Sequence, residues 1–272
     1  MKILAVGDVV GNGGTNYVRR YLWTIRRKCR ADVVVLNGEN AARGNGLDKD
    51  TAEALLAAGA DVITSGNHIW KKHETRHFLD DMPLVLRPAN YPLRAPGNGC
   101  TVIEVNGVRL LVLSLLGNTF MPDNLASPFE TADMILERMT GEYDICVTDI
   151  HAEATSEKAA LARYLDGRVS VVFGTHTHVQ TNDARVLPNG TGFVTDIGMV
   201  GYEESVLGVR SDCVLERFLT QMPTRFEEPT EGDIRFCGAL FEVDERTGLT
   251  AEVSLVNLLS APQKQWERSQ CE

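Results

Sequence analysis

Short apolar runs alternate with stretches of helical period from the first residues onward, and this alternation predicts an α/β protein. KILAVG, starting at Lys2, reads as a strand that ends in a glycine-rich turn. A helix is expected around Thr15 to Arg30, then the strand DVVVLNG, a helix around Lys49 to Ala58 and the strand DVITSG. Strand, helix, strand in that order implies parallel pairing with helices on the sheet faces. CTVIEVNGVRLLVLSLLG breaks the rhythm with two strands joined at Asn106-Gly107, the dipeptide best suited to a tight hairpin turn. Further on, a helix around Pro128 to Met139, the strand DICVTDI, a helix from Ser156 to Leu165 and the strand VSVVFG are expected. ARVLPNGTGFVTDI reads as a second hairpin, turned at Pro188-Asn189-Gly190, and FCGALFEVDERTGLTAEVSLVNLL as a third. QMPTRFEEPTEGD is polar and reads as a surface loop. With no linker or repeat in view, one domain over residues 1–272 is expected: a mixed sheet, or two stacked sheets, flanked by helices.

Composition narrows the class. At 43% hydrophobic and 24% charged, the chain is an ordinary soluble globular protein. No apolar run approaches the length of a bilayer span, and MKILAVGDVVG lacks the flanks of a signal peptide, so a cytoplasmic address is expected. Cys29, Cys100, Cys146, Cys213, Cys237 and Cys271 are scattered without a C-x-x-C pair, which favours reduced thiols over a disulfide framework or a structural zinc site. The net charge of −10 argues against binding long nucleic acid through its backbone. It leaves room for a small anionic substrate, because bound divalent cations reverse the local field. Self-association is left open.

The residues able to hold such cations follow the apolar runs. Asp8 comes after KILAVG, Glu39 and Asn40 after VVVLNG, Asn67 and His68 after VITSG, His151 after ICVTDI, and His176 and His178 after VSVVFGT. Each alone has a plainer use: a turn former or helix cap for Asp8, turn residues for the two amides, a hydrogen-bonded core group for His151. Five strand ends carrying such side chains together point to one cleft, since sites in open α/β sheets form outside the carboxyl ends of the strands. Mixed carboxylate, amide and imidazole donors suit a pair of divalent transition metals: iron, manganese or zinc. One carboxylate can bridge two ions roughly 3.5–4 Å apart. A bridging hydroxide would then attack phosphorus while a nearby imidazolium protonates the leaving oxygen.

Gly7-Asp8, GNH at Gly66 to His68, the isolated His151 and GTHTH at Gly174 to His178 resemble the signature of calcineurin-like metallophosphoesterases. The longer blocks NGENAA, RPANYP, HAEATSEK, GTHTHVQT and TDIGM are similar to those of the bacterial YmdB-like phosphodiesterases along nearly the whole chain. That resemblance implies a two-sheet mixed β sandwich flanked by helices, a dinuclear centre and hydrolysis of small phosphodiesters, with cyclic nucleotides such as 2′,3′-cyclic AMP as substrates. It implies Asp8, Glu39, Asn40 and His178 on one metal, and Glu39, Asn67, His151 and His176 on the other. Glu39 would bridge, and His68 would be the general acid. Val10 stands where the wider superfamily has the His of D-x-H, and Glu39 where most relatives have Asp; both are shared by the YmdB-like branch. Ile69 replaces an acid that often follows GNH, so His68 must be oriented by another group. Arg43 and Tyr202 depart from the branch itself, and both are candidates to flank the substrate.

HETRH, at His73 to His77, matches the H-E-x-x-H pattern of zinc peptidases. A peptidase needs that pattern on a helix with a third ligand, and the helix expected here, about Trp70 to Asp80, is short and stops before Pro83. The motif therefore reads as a coincidence beside the real site. Two rival readings remain: a peptidase using His73, Glu74 and His77, and a non-catalytic or weakly catalytic regulatory protein that binds a nucleotide without turning it over.

Overall fold

Most strands are apolar on both faces because each sheet is covered twice. The computed structural model describes residues 1–259, so Cys271 and the end of the expected domain lie outside the described residues. β1 (Lys2–Val6) and the two-residue β2 (Asp8–Val9) lead into α1 (Gly11–Cys29), followed by β3 (Val33–Asn37), α2 (Lys49–Ala57) and β4 (Val62–Thr64). A four-residue helix, α3 (Thr75–Phe78), precedes the hairpin of β5 (Cys100–Val105) and β6 (Val108–Leu116). Next come α4 (Pro128–Arg138), β7 (Ile145–His151), α5 (Thr155–Tyr164) and β8 (Val171–Thr175). β9 (Arg185–Val186), β10 (Gly192–Val194), β11 (Met199–Tyr202), α6 (Ser211–Thr220), β12 (Ile234–Val243) and β13 (Thr250–Leu259) complete the order.

Two sheets result. One runs β2-β11-β12-β1-β3-β4, with β13 also on β12; the other runs β5-β6-β7-β8-β10-β9. β1, β3 and β4 are parallel, as are β6, β7 and β8. Side chains alternate between faces as a two-residue period requires. Ile3, Ala5, Val33 and Val35 of the first sheet meet Leu110, Val112, Ile145, Val147 and Phe173 of the second in a shared core. Leu4, Val6, Val34 and Leu36 face the other way, under Val18, Leu22 and Ile25 of α1 and Leu55 of α2. Leu111, Leu113 and Leu115 do the same under α4 and α5, against Ile135, Leu136 and Leu161. Each such aliphatic side chain contributes about 1.5–3 kcal/mol by leaving water. The expected two-sheet mixed sandwich flanked by helices is the fold observed.

All three hairpins form, and Asn106 and Gly107 take φ of 54° and 81° at the tightest of them. The expected helix over Trp70 to Asp80 does not form at that length. The residues before Thr75 are turns, because Lys71 N–H bonds back to the His68 carbonyl and Thr75 Oγ1 is anchored on the buried Leu47 carbonyl. The helix can propagate only from Thr75, and a 3₁₀ turn at Leu79–Asp81 ends it before Pro83. α1 begins earlier than expected, at Gly11, because Gly13 and Gly14 let it press on β11. A Cβ on Gly13 would lie 2.4 Å from the Tyr202 ring, and one on Gly14 would lie 2.2 Å from the Val200 carbonyl oxygen. The basic residues Arg19, Arg20, Arg27 and Lys28 of this helix, and Arg30 just past its end, are exposed and form a solvated face. Arg26 instead spans to Asp61 at 2.9 Å.

Candidate active site

The carboxyl ends of the parallel strands in both sheets share one rim, and the eight candidate side chains meet there. Asp8 starts β2, just past β1. Glu39 and Asn40 follow β3, Asn67 and His68 follow β4, His151 is the last residue of β7, and His176 and His178 follow β8. Asp8, Glu39 and His151 are fully buried and form the floor; His68, His176 and His178 are partly exposed at the mouth.

His151 Nε2 is the hub. It lies 3.1 Å from Glu39 Oε1, 3.2 Å from Asn67 Oδ1 and 3.0 Å from His176 Nδ1. One ring nitrogen carries at most one proton and cannot satisfy three such neighbours. The donor atoms of Glu39, His151 and His176 all lie within 4.8 Å of one another. Asp8 Oδ1 sits 3.7 Å from His178 Nε2 and 3.8 Å from His151 Nδ1, yet no group donates to it; it is the one buried, unpartnered side-chain oxygen or nitrogen among the described residues. A buried carboxylate oxygen without a donor is costly, and a cation among these atoms would satisfy both it and the hub. The residues present fit divalent metal ions.

Asn40 bridges the mouth. Its Nδ2 donates to Glu39 Oε1 at 3.0 Å and faces His178 Nε2 at 3.3 Å, while its Oδ1 lies 2.7 Å from His68 Nδ1. As placed, the amide offers oxygen to His68 and nitrogen to the cluster, so service as an oxygen ligand needs the amide turned over. His68 Nδ1 is also 3.3 Å from Glu39 Oε1, and the His68 backbone N–H donates to Glu39 Oε2 at 3.1 Å. Ile69 is fully buried in the core. Asn40 and Glu39 thus hold the His68 ring in place.

Electrostatics follow from burial and this geometry. Burial raises the Asp8 carboxyl, opposed by His178 and His151. Burial would raise Glu39 too, but the His151 and His68 imidazoles hold it well below the usual carboxylate range. Burial disfavours a charged His151, yet Glu39 and Asp8 push it up to about 9. His176 is pushed down to about 3 by burial and by the neighbouring His151 charge.

A second layer carries residues that sequence reading missed. His151 Nδ1 meets Thr175 Oγ1 at 2.8 Å, and Thr175 donates to the buried Asp149 at 2.8 Å. Asn37 and Thr64 also donate to Asp149. The signal was available: a polar residue inside a fully buried strand such as ICVTDIH demands partners. The fully buried Lys158 pairs with Asp196 at 2.7 Å, and Asp196 in turn accepts from the Thr177 backbone N–H and hydroxyl. That anchors GTHTH, whose His176 and His178 both adopt left-handed φ, 96° and 64°. Such strained backbone persists only when its surroundings over-determine it. Gly66 is equally constrained, because a Cβ there would lie 2.1 Å from the His151 ring.

The HETRH residues take no part. His73 and His77 are exposed with rings 5.5 Å apart, and Glu74 and His77 line a separate surface cavity of about 320 Å³ with Lys49, Asp50, Phe78 and Asp81. No third ligand joins them among the described residues. The five cysteines in the described residues are free, and no described helix is long and apolar enough to cross a membrane. Tyr202 ends β11 with its ring over Gly13.

Proteins similar in sequence or fold match nearly the whole chain. A 2′,3′-cyclic-nucleotide 2′-phosphodiesterase of Bacillus subtilis (strain 168) is 43% identical over 256 residues, covering 94% of this chain and 96% of that protein. A crystal structure described as a novel phosphatase from Mycoplasma pneumoniae superposes with a TM-score of 0.89 at 31% identity, covering 98% of this chain and 96% of that one. A 5′-nucleotidase precursor from Thermus thermophilus is only 15% identical, with a TM-score of 0.60 over 97% of this chain and 55% of its own, a likeness of fold alone. The architecture is that of the calcineurin-like metallophosphoesterases. The model of the family described as YmdB-like protein matches residues 4–256, and this chain belongs to that family.

Proposed function

We propose that this protein is a dinuclear metal-dependent phosphodiesterase that opens small cyclic nucleotides such as 2′,3′-cyclic AMP. The observation that carries the reading is the buried, unpartnered Asp8 Oδ1 beside the crowded Nε2 of His151. Asp8, Glu39, Asn40 and His178 would hold one ion and Glu39, Asn67, His151 and His176 the other, with Glu39 shared. The mixed oxygen and nitrogen donors suit iron or manganese, and also zinc. When bound, the ions neutralise phosphoryl oxygens and acidify water at neutral pH.

The chain's own residues supply the rest. Water adds to phosphorus and gives up a proton to solvent, the bond to the ribose 2′ oxygen breaks, and that oxygen takes a proton from His68, which solvent then restores. With the Asn40 amide turned so that its oxygen faces the ion, its Nδ2 would donate to His68 Nδ1; His68 Nε2 makes no hydrogen bond among the described residues and is the atom available to carry and donate the proton. The product is the 3′-phosphate monoester. The buried floor keeps the carboxylates dehydrated, which strengthens their hold on cations.

The test is hydrolysis of 2′,3′-cyclic AMP with added manganese, comparing wild type with Glu39→Ala. Activity abolished in the variant, with metal content reduced, supports the reading. Equal rates would remove Glu39 from the chemistry, and ligand binding without turnover by wild type would favour a regulatory nucleotide-binding role.

A further inference from the structure

Two exposed cations beside His68 have no partner among the described residues. Arg43 follows Asn40 by three residues, and Lys71 follows His68 by three. The two segments are packed together. Lys72 Nζ donates to the Arg43 carbonyl at 2.6 Å, and Lys71 N–H closes a turn on the His68 carbonyl at 2.8 Å. A Cβ on Gly46 would lie 3.0 Å from the Lys71 Cβ and 3.4 Å from the His68 carbonyl oxygen. Positive φ at Gly44, Asn45 and Gly46 folds the loop back onto that turn. The backbone of Arg43 is therefore tied to the segment that follows His68.

Neither the Arg43 guanidinium nor the Lys71 ammonium forms an ion pair or hydrogen bond among the described residues. In a protein of net charge −10, two unpaired cations on the packed segments that carry Asn40 and His68 put positive charge on this side of the site and form a local rim. Such a rim attracts an anionic group on the ligand in addition to the one that reacts.

We propose that Arg43 and Lys71 bind a second phosphate of the substrate, carried on the 5′ oxygen of the ribose whose 2′,3′-cyclic phosphate is opened. With the 2′ and 3′ oxygens tied in the ring, the 5′ oxygen is the remaining ribose position for a phosphate. The substrate class is then a 5′-phosphorylated 2′,3′-cyclic nucleotide, or a short oligoribonucleotide ending in a 2′,3′-cyclic phosphate. This rests on the cyclic phosphodiesterase reading above.

The experiment measures kcat and KM of the full-length, manganese-loaded protein on three substrates: 2′,3′-cyclic AMP, its 5′-phosphorylated form, and a diadenylate ending in a 2′,3′-cyclic phosphate. Wild type is compared with Arg43→Ala/Lys71→Ala and with Arg43→Lys/Lys71→Arg. Wild type should favour a 5′-phosphorylated substrate over 2′,3′-cyclic AMP by about tenfold, mainly through KM, as two exposed charge contacts allow. That ratio should collapse toward one in the alanine variant, persist in the charge-preserving variant, and shrink as salt screens it. A gain confined to the diadenylate assigns the rim to an internucleotide diester, and a gain confined to the mononucleotide assigns it to a terminal phosphate. One rate on all three substrates, or a ratio unmoved in the alanine variant, overturns the rim alone. No turnover of any of them overturns the phosphodiesterase reading and the rim with it.

Discussion

His68 is held by Asn40, its Nδ1 2.7 Å from the amide Oδ1. The two residues come from neighbouring parallel strands, β3 and β4, so the spacing between those strands fixes the imidazole. Replacing His68 by Ala should leave metal content intact, because the donor atoms nearest one another belong to Glu39, His151 and His176. Turnover should fall by about 10²–10⁴-fold, the range for loss of a general acid. Metal analysis beside single-turnover rates checks this, and lost metal would move His68 from the acid to the ligands.

Asp8 predicts a crossing of stabilities. Burial of its unpartnered carboxyl is a cost without metal and an asset with it. Asp8→Asn should therefore melt higher than wild type in chelator and lower than wild type in manganese. A ligand at a hundred times its Kd raises stability by about 2.7 kcal/mol, and most of that increment should vanish in the variant. Parallel melting temperatures under both conditions would rule the carboxylate out as a ligand.

The second layer makes a pH prediction. Burial lifts the Asp149 carboxyl to about 6, against the pull of His151 and of Thr64, Asn37 and Thr175. The folded protein then keeps a proton that the unfolded chain, with its carboxyl near 3.8, has released. Stability from this group is fully present below that lower value and is lost as pH rises through 6, by at most about 3 kcal/mol. Urea midpoints of metal-free protein should descend over that window, and Asp149→Asn should flatten the descent. Identical slopes for the two proteins would contradict it.

His73→Ala/His77→Ala removes the peptidase pattern and little else. Both rings are exposed, so stability should shift by less than about 0.5 kcal/mol. Metal content and phosphodiester hydrolysis should persist, and wild type should cleave no casein. Loss of bound metal in this variant would show that the pair holds an ion.

Much of this was legible because the fold is built from doubly buried strands. Runs such as VVVLN are apolar throughout, and the residues at their ends are where the chemistry gathers. Helix starts were harder. Glycine has low helix propensity, so α1 could not be traced back to Gly11 without the close approach of β11. α6 escaped because Leu215, Phe218 and Leu219 face solvent, leaving no buried stripe for its period to mark. At the site, the reactive side chains announced themselves by type, whereas Asn37, Thr64, Asp149 and Thr175 sit inside apolar strands and declare a role only through their contacts. That Asn40 would orient His68 depended on the lateral spacing of two strands, a quantity that no local motif encodes.

The rim joins two halves of the molecule. Asp8, Glu39, Asn40, Asn67 and His68 belong to the first sheet, while His151, His176 and His178 belong to the second. With the ligands proposed above, no single sheet would carry a full coordination sphere, and ion capture would wait until the sandwich has closed. An ion held there would act as a clasp across the seam, and its binding energy would oppose every breathing motion that parts the sheets. Amide exchange near the ends of β3 and β7 would slow on loading, and metal starvation would loosen this edge first. Metal supply would then govern the rigidity of the sandwich as well as its chemistry.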